Sequence, residues 1–162
     1  MLGGMALTRI LVDGYSLLHS WSAVAPGKLR HSEAARDELA RMLTRYYDLT
    51  GTPITVFFDG SGPKGGPPAK SPRREVEVLY SRGGQTADQM IERTVHRLLP
   101  FGEVLVVTND GVERDLVIGL GAMAVSCEGF IQEWMNLTGE LHCQLKNYNL
   151  REKHKFSRSH NA

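Results

Sequence analysis

The sequence has little cysteine, no long apolar run and no large excess of either charge. Cys127 and Cys143 are its two cysteines, too few for a disulfide framework, and no CxxC pair offers a zinc site. No apolar stretch approaches the ~20 residues that a membrane helix requires, so no membrane association is expected. Residues 1–8 lack the basic region, apolar stretch and cleavage site of a secretory signal. The expectation is a soluble protein of a reducing compartment, the cytoplasm. With 41% hydrophobic and 23% charged residues in 162, the chain can pack one core, which excludes global disorder and collagen-like repetition.

Several chemistries are missing as well. The lysine of Gly60-Ser61-Gly62-Pro63-Lys64 has neither the preceding glycine nor the following Ser/Thr of a phosphate-binding P-loop. No G-x-G-x-x-G follows the first strand and no G-x-S-x-G occurs, so a dinucleotide site and a serine nucleophile are unsupported. Tyr15 stands where an aspartyl-nucleophile phosphatase needs its second Asp, and Cys127 falls on a helix face.

The near-neutral net charge of +1 hides an uneven distribution. Residues 61–74 carry Lys64, Lys70, Arg73 and Arg74 without an acid, and residues 146–162 carry a net +4, leaving −7 on the remainder. An acidic body with two basic appendages suits a nucleic-acid enzyme, with acids for a metal and basic arms for phosphates. A solvated loop and a frayed terminus account for the same charges equally well.

Strand-like runs at 8–12, 54–58, 76–80, 103–108 and 122–125 alternate with helical patterns. Ser32 caps a helix with apolar Ala35, Leu39, Met42, Leu43 and Tyr46, closed by Gly51 and Pro53. Thr86-x-x-Gln89 is a capping box opening a helix with the stripe Ala87, Met90, Ile91, Thr94, Val95 and Leu98. A further helix carries Val112, Leu116, Val117 and Leu120, and Ser126 caps one with Phe130, Ile131, Trp134 and Met135. Residues 61–72, rich in Gly and Pro, read as a loop, although a parallel crossover would have to pass through them. Beyond Gly139, the weak alternation of Leu141, Cys143 and Leu145 leaves strand and extended tail both open. The pattern predicts an α/β fold, a parallel sheet covered on both faces, with a domain over 1–141 and a basic tail over 142–162.

Ligands in such sheets bind beyond the carboxyl ends of the strands. Asp13, Asp59 and Asp110 follow three of those ends. Asp88 sits in the first turn of the next helix, with Glu92 beside it at i+4. Any one Asp is explained as a turn residue. Asp13, Asp88 and Asp110 together at one edge are not, because carboxylates ~6 Å apart repel by about 3 kcal/mol per pair at an effective dielectric near 20. A hard cation, Mg²⁺ or Mn²⁺, resolves that repulsion and suits all-oxygen ligands. His19, in the segment after Asp13, fits an approach to the site or, the favoured reading, a structural hydrogen bond. Asp115, five residues after Asp110, points away around the helix.

The run Leu11-Val12-Asp13-Gly14-Tyr15-Ser16-Leu17-Leu18-His19, with Trp21, resembles the opening of the YacP-like NYN-domain proteins, which belong to the PIN-like nucleases. The resemblance continues through residues 33–37, Phe57-Phe58-Asp59-Gly60, 76–78, Thr86-Ala87-Asp88-Gln89-Met90-Ile91-Glu92, Val107-Thr108-Asn109-Asp110 and 121–130, covering about residues 8 to 135. It implies a PIN-like Rossmannoid three-layer sandwich with a mainly parallel, roughly five-stranded sheet, and metal-dependent endoribonuclease activity. The family's acidic positions map onto Asp13, Asp88 and Asp110. Two positions depart from its pattern: Ser16 stands where Asn is usual, and Gly111 where a bulky or basic residue is more frequent. The reading is a Mg²⁺/Mn²⁺ enzyme acting on single-stranded or loosely structured RNA. Asp13 and Asp110 would be primary ligands, Asp88 a ligand or base, and Glu92 an outer ligand. Ser16, Asn109, Lys64, Lys70, Arg73 and Arg74 would contact RNA. Tyr15 and Trp21 fit either base stacking or core packing. No particular ribonucleoprotein partner is indicated. The alternatives are a catalytically weak RNA-binding module of the same fold and a phosphatase for small esters.

Overall fold

The structure, a computed structural model, describes residues 7–60 and 75–160. The expected loop over 61–72 and its basic residues Lys64, Lys70, Arg73 and Arg74 therefore lie outside the described residues. The elements are β1 (Leu7–Asp13), α1 (Gly14–Ser20), α2 (Glu33–Thr50), β2 (Ile54–Phe58), β3 (Val76–Tyr80), α3 (Ala87–Leu98), β4 (Glu103–Val107), α4 (Gly111–Leu120), β5 (Met123–Val125) and α5 (Cys127–His160). A 3₁₀ turn, Leu99–Phe101, ends α3 at Pro100.

Among the described residues five strands pair in parallel in the order β3-β2-β1-β4-β5. Val12 of the central strand stands opposite Val56 on one side and Val107 on the other. The winding reverses between β1 and β4, the position at which such sheets hold ligands. Ile10, Leu11, Val12, Ile54, Val56, Phe57 and Phe58 are all fully buried, as strands covered on both faces must be. Leu11 and Phe57 meet Ala87, Ile91 and Val95 of α3 and Val117 of α4 on one face. Alternate side chains point the other way, where α1 and α2 pack on β1, β2 and β3. Gly14 is required at the start of α1, because a Cβ there would collide with the Phe58 ring.

Three elements differ from the sequence expectation. The segment after Asp13 is a short helix, α1. In α4, Val112 and Leu116 are exposed, while Glu113 and Val117 are buried. Of the apolar stripe expected from the sequence, Val117 and Leu120 pack on the core and Val112 and Leu116 face outward. The third difference is the C-terminal region, which is helical through His160 rather than strand or extended tail. Residues 131–160 contain no proline and a single glycine among good helix formers, and helical period outweighs the short alternation there.

The chain divides after Phe130 into two units: the sheet with its helices, and the helical run 131–160. Among the described residues no helix is long and apolar enough to cross a membrane.

Candidate metal centre

Three acidic residues reach one point from three different elements. Asp13 ends β1 and caps α1, so its carboxylate is fixed by the backbone it terminates. Its Oδ1 accepts from Ser16 N at 3.3 Å and its Oδ2 from Ser16 Oγ at 2.9 Å. Asp88 lies in the first turn of α3. The start of that helix is held by the Thr86–Gln89 capping box and by Asp59, whose Oδ1 accepts from Ala87 N at 2.6 Å. Glu113 lies in the first turn of α4, which Asp110 caps through Val112 N at 2.9 Å and Glu113 N at 3.3 Å.

One oxygen from each of Asp13, Asp88 and Glu113 lies within 4.8 Å of the others. Thr108, the residue after β4, stands between them. Its hydroxyl is 2.8 Å from Glu113 Oε2 and 3.5 Å from Asp13 Oδ2, and it accepts from Asp110 N at 3.1 Å. A hydroxyl has one proton, so the shorter contact takes it and Asp13 Oδ2 relies on Ser16. Glu113 Oε1 is buried and faces no donor. Among the described residues, no Lys or Arg ion pair reaches these carboxylates; Arg41–Glu38, Arg114–Asp115 and Lys155–Glu152 are exposed pairs elsewhere.

The electrostatics follow from this crowding. Burial, reinforced by the neighbouring Asp88 and Asp13, pushes the Glu113 carboxyl up to about 8. Burial also raises Asp13 against the lowering effect of Ser16, with Asp88 and Asp59 adding repulsion. Burial and the neighbouring acids thus favour the protonated form of Glu113, and a bound cation could take the place of that proton. All-oxygen donors, two of them half-buried and one buried with an unpartnered oxygen, fit a divalent cation. Cys127 is fully buried, and burial with the nearby Asp13 charge pushes its thiol up to about 12. It is no nucleophile.

The structure thus brings Asp13 and Asp88 together, as the sequence placed them, and adds Glu113. Asp110 is not one of the three: it is exposed and holds the helix that presents Glu113. Glu92 is half-buried one turn beyond Asp88 and is also outside the group. Ser16 holds Asp13. Asn109 is engaged on three sides, donating to Ser20 Oγ at 2.8 Å and Glu128 Oε1 at 3.2 Å and accepting from Cys127 N at 2.8 Å. Trp21 is in the core, Tyr15 is half-buried against Phe58, and His19 is exposed. A signal for Glu113 existed. Glu113, Val117 and Leu120 fall at i, i+4 and i+7, and Asp110-x-x-Glu113 has N-cap and N3 acids.

A parallel α/β domain that gathers carboxylates from β1, α3 and α4 at its strand ends has the architecture of the nuclease-like NYN domains. The chain belongs to the YacP-like NYN domain family, whose pattern matches residues 10–161. It is 31% identical over 125 residues to the uncharacterized protein YacP of Bacillus subtilis (strain 168), covering 76% of this chain and 73% of that protein. The crystal structure of Rae1 (YacP) from Bacillus subtilis superposes with a TM-score of 0.72 at 25% identity, covering 91% of this chain and 84% of the other. A single-substitution mutant of the same protein gives 0.73 over 88% and 84%.

Proposed function

We propose that the protein is a cytoplasmic, Mg²⁺- or Mn²⁺-dependent endoribonuclease acting on single-stranded or loosely structured RNA. The observation that carries this reading is the convergence of Asp13, Asp88 and Glu113 within 4.8 Å, with a buried Glu113 oxygen that faces no donor. These three residues would hold the cation, which when bound supplies an acidified water and charge stabilisation at a phosphate. Ser16 keeps Asp13 oriented and Thr108 does the same for Glu113. Asp110 acts through the helix it caps, with Glu92 available as an outer ligand. Lys64, Lys70, Arg73 and Arg74 would contact backbone phosphates, as would the basic residues within 142–162.

The test is cleavage of an oligoribonucleotide with Mg²⁺, with Mn²⁺ and with chelator, run beside Asp88→Asn and Glu113→Gln. Cation-dependent cleavage lost in both variants is expected. Cleavage that survives chelation would refute the mechanism. RNA binding without cleavage under either cation would make the protein a binding module, and hydrolysis confined to small esters would make it a phosphatase.

A further inference from the structure

A second group of side chains occupies the carboxyl edge of the sheet on the β1–β2–β3 side, and the metal centre uses none of it. Tyr15 and His19 lie one turn apart on α1, two and six residues beyond Asp13, or about 3 and 9 Å along the helix axis. His31, from the segment before α2, places its ring 4.3 Å from Tyr15 and 5.3 Å, edge-on, from His19. Tyr15 rests on Phe58 at 4.9 Å, and Phe58 stacks on Tyr80 at 5.7 Å. The series runs from the buried Phe58 through the half-buried Tyr15 to the exposed His19 and His31.

Two cations tie this edge together. Arg36 donates to Tyr15 Oη at 3.3 Å and to the His31 carbonyl at 2.8 Å, with its guanidinium 5.8 Å from the Tyr80 ring centre. Arg30 donates to the carbonyls of Leu18, Trp21, Ala25 and Lys28 at 2.6–3.3 Å. It thereby anchors the loop that carries His31, where Ala25 takes the left-handed φ of +47°. Holding aromatic rings in place at the surface lowers the ordering cost of binding a flat ligand.

We propose that Tyr15, His19 and His31 form a stacking subsite for one nucleobase of the RNA whose phosphate meets the carboxylates of Asp13, Asp88 and Glu113. The proposal rests on the ribonuclease reading above. Stacking on exposed ring faces is tolerant of base identity, so the subsite selects unstacked, single-stranded RNA rather than a sequence. Arg36 and Arg30 are positioning residues. They hold Tyr15 and His31 and need not touch the base.

The experiment measures binding of a labelled single-stranded oligoribonucleotide of about twelve nucleotides in chelator, so that cleavage cannot interfere. Wild type is compared with His31→Ala, His19→Ala/His31→Ala and His31→Phe, and one abasic residue is moved through the oligonucleotide. Loss of the stack should weaken binding by roughly 5- to 100-fold, and His31→Phe, which keeps a ring, should restore it. One abasic position should weaken wild-type binding by a similar factor and leave the double variant nearly unaffected. With metal present, KM should rise more than kcat falls. If wild type cleaves RNA but both alanine variants bind as tightly as wild type, or the abasic scan is flat, the subsite is wrong and the ribonuclease reading stands. If wild type neither binds nor cleaves RNA, both fail. Thermal melts of each variant separate a misfolded protein from a lost contact, and a His31→Phe variant that is folded yet binds no better than His31→Ala also overturns the proposal.

Discussion

Replacing Glu113 with glutamine should stabilise the metal-free protein at alkaline pH and leave it little changed in acid. The Glu113 carboxyl is pushed up to about 8 from 4.5 by burial and by Asp88 and Asp13. A raised folded-state pKa means that the stabilising protonated form is fully present below the ordinary carboxyl range and is lost as pH climbs through 8. At about 1.4 kcal/mol per unit, the full shift corresponds to about 5 kcal/mol, and solvent screening at the open strand edge reduces the expected share to about 2–3 kcal/mol. For a chain of this size that is about 5–10 °C in Tm. Glutamine imitates the protonated state: its oxygen accepts from Thr108 and its amide faces Asp88. Melts in chelator from about pH 5 to about pH 9 should show wild type falling progressively below Glu113→Gln. Adding Mg²⁺ should recover much of the wild-type loss at high pH and do little for the variant, because a cation takes the place of the proton. Parallel wild-type and variant melts across that pH range would show that Glu113 is not the crowded, protonated group described here.

Other perturbations test the supporting structure. Asp110→Asn should keep both stability and cleavage, since Asn caps helices as well as Asp, whereas Asp110→Ala should cost about 1 kcal/mol; loss of cleavage in a stable Asp110→Asn would make Asp110 a ligand in its own right. Gly14→Ala forces a Cβ into the Phe58 ring and should destabilise by about 1–3 kcal/mol, with partial recovery in Gly14→Ala/Phe58→Leu; an unchanged melt would contradict that close approach. Removing Lys64, Lys70, Arg73 and Arg74 together should weaken RNA affinity and flatten its log–log salt slope by up to about 0.7 per residue, measured in an Asp88→Asn background; an unchanged slope would mean that these residues do not meet phosphates.

The acidic centre shows how far local sequence reaches. Asp13 was legible because a strand ending in Asp-Gly must turn there, so the residue type and the strand end coincide. Asp88 was legible because a capping box sets where α3 begins and hence which residues form its first turn. Glu113 was not. Its helix was recognised, and Val117 and Leu120 of the expected stripe do pack, but Val112 and Leu116 in the same stripe are exposed. Apolar content alone does not choose between neighbouring faces of a short helix. The choice is made by Thr108, which binds the Glu113 carboxylate, and by Val117 packing against the core. Asn109 illustrates the same limit. Its amide ties Ser20, Glu128 and Cys127 together, partners from α1 and α5 that sequence spacing cannot bring into view.

The order of strands and helices, the covered parallel sheet, the family and two of the three converging carboxylates followed from the sequence by itself. They depend on period, caps and turn residues, which act over a few positions. The place of the third carboxylate beside Asp13 and Asp88 and the ring series from Phe58 to His31 were decided only by the tertiary structure. Each depends on which surfaces a sheet edge brings within hydrogen-bond or van der Waals reach, and residues close in space there are up to 95 apart in the chain.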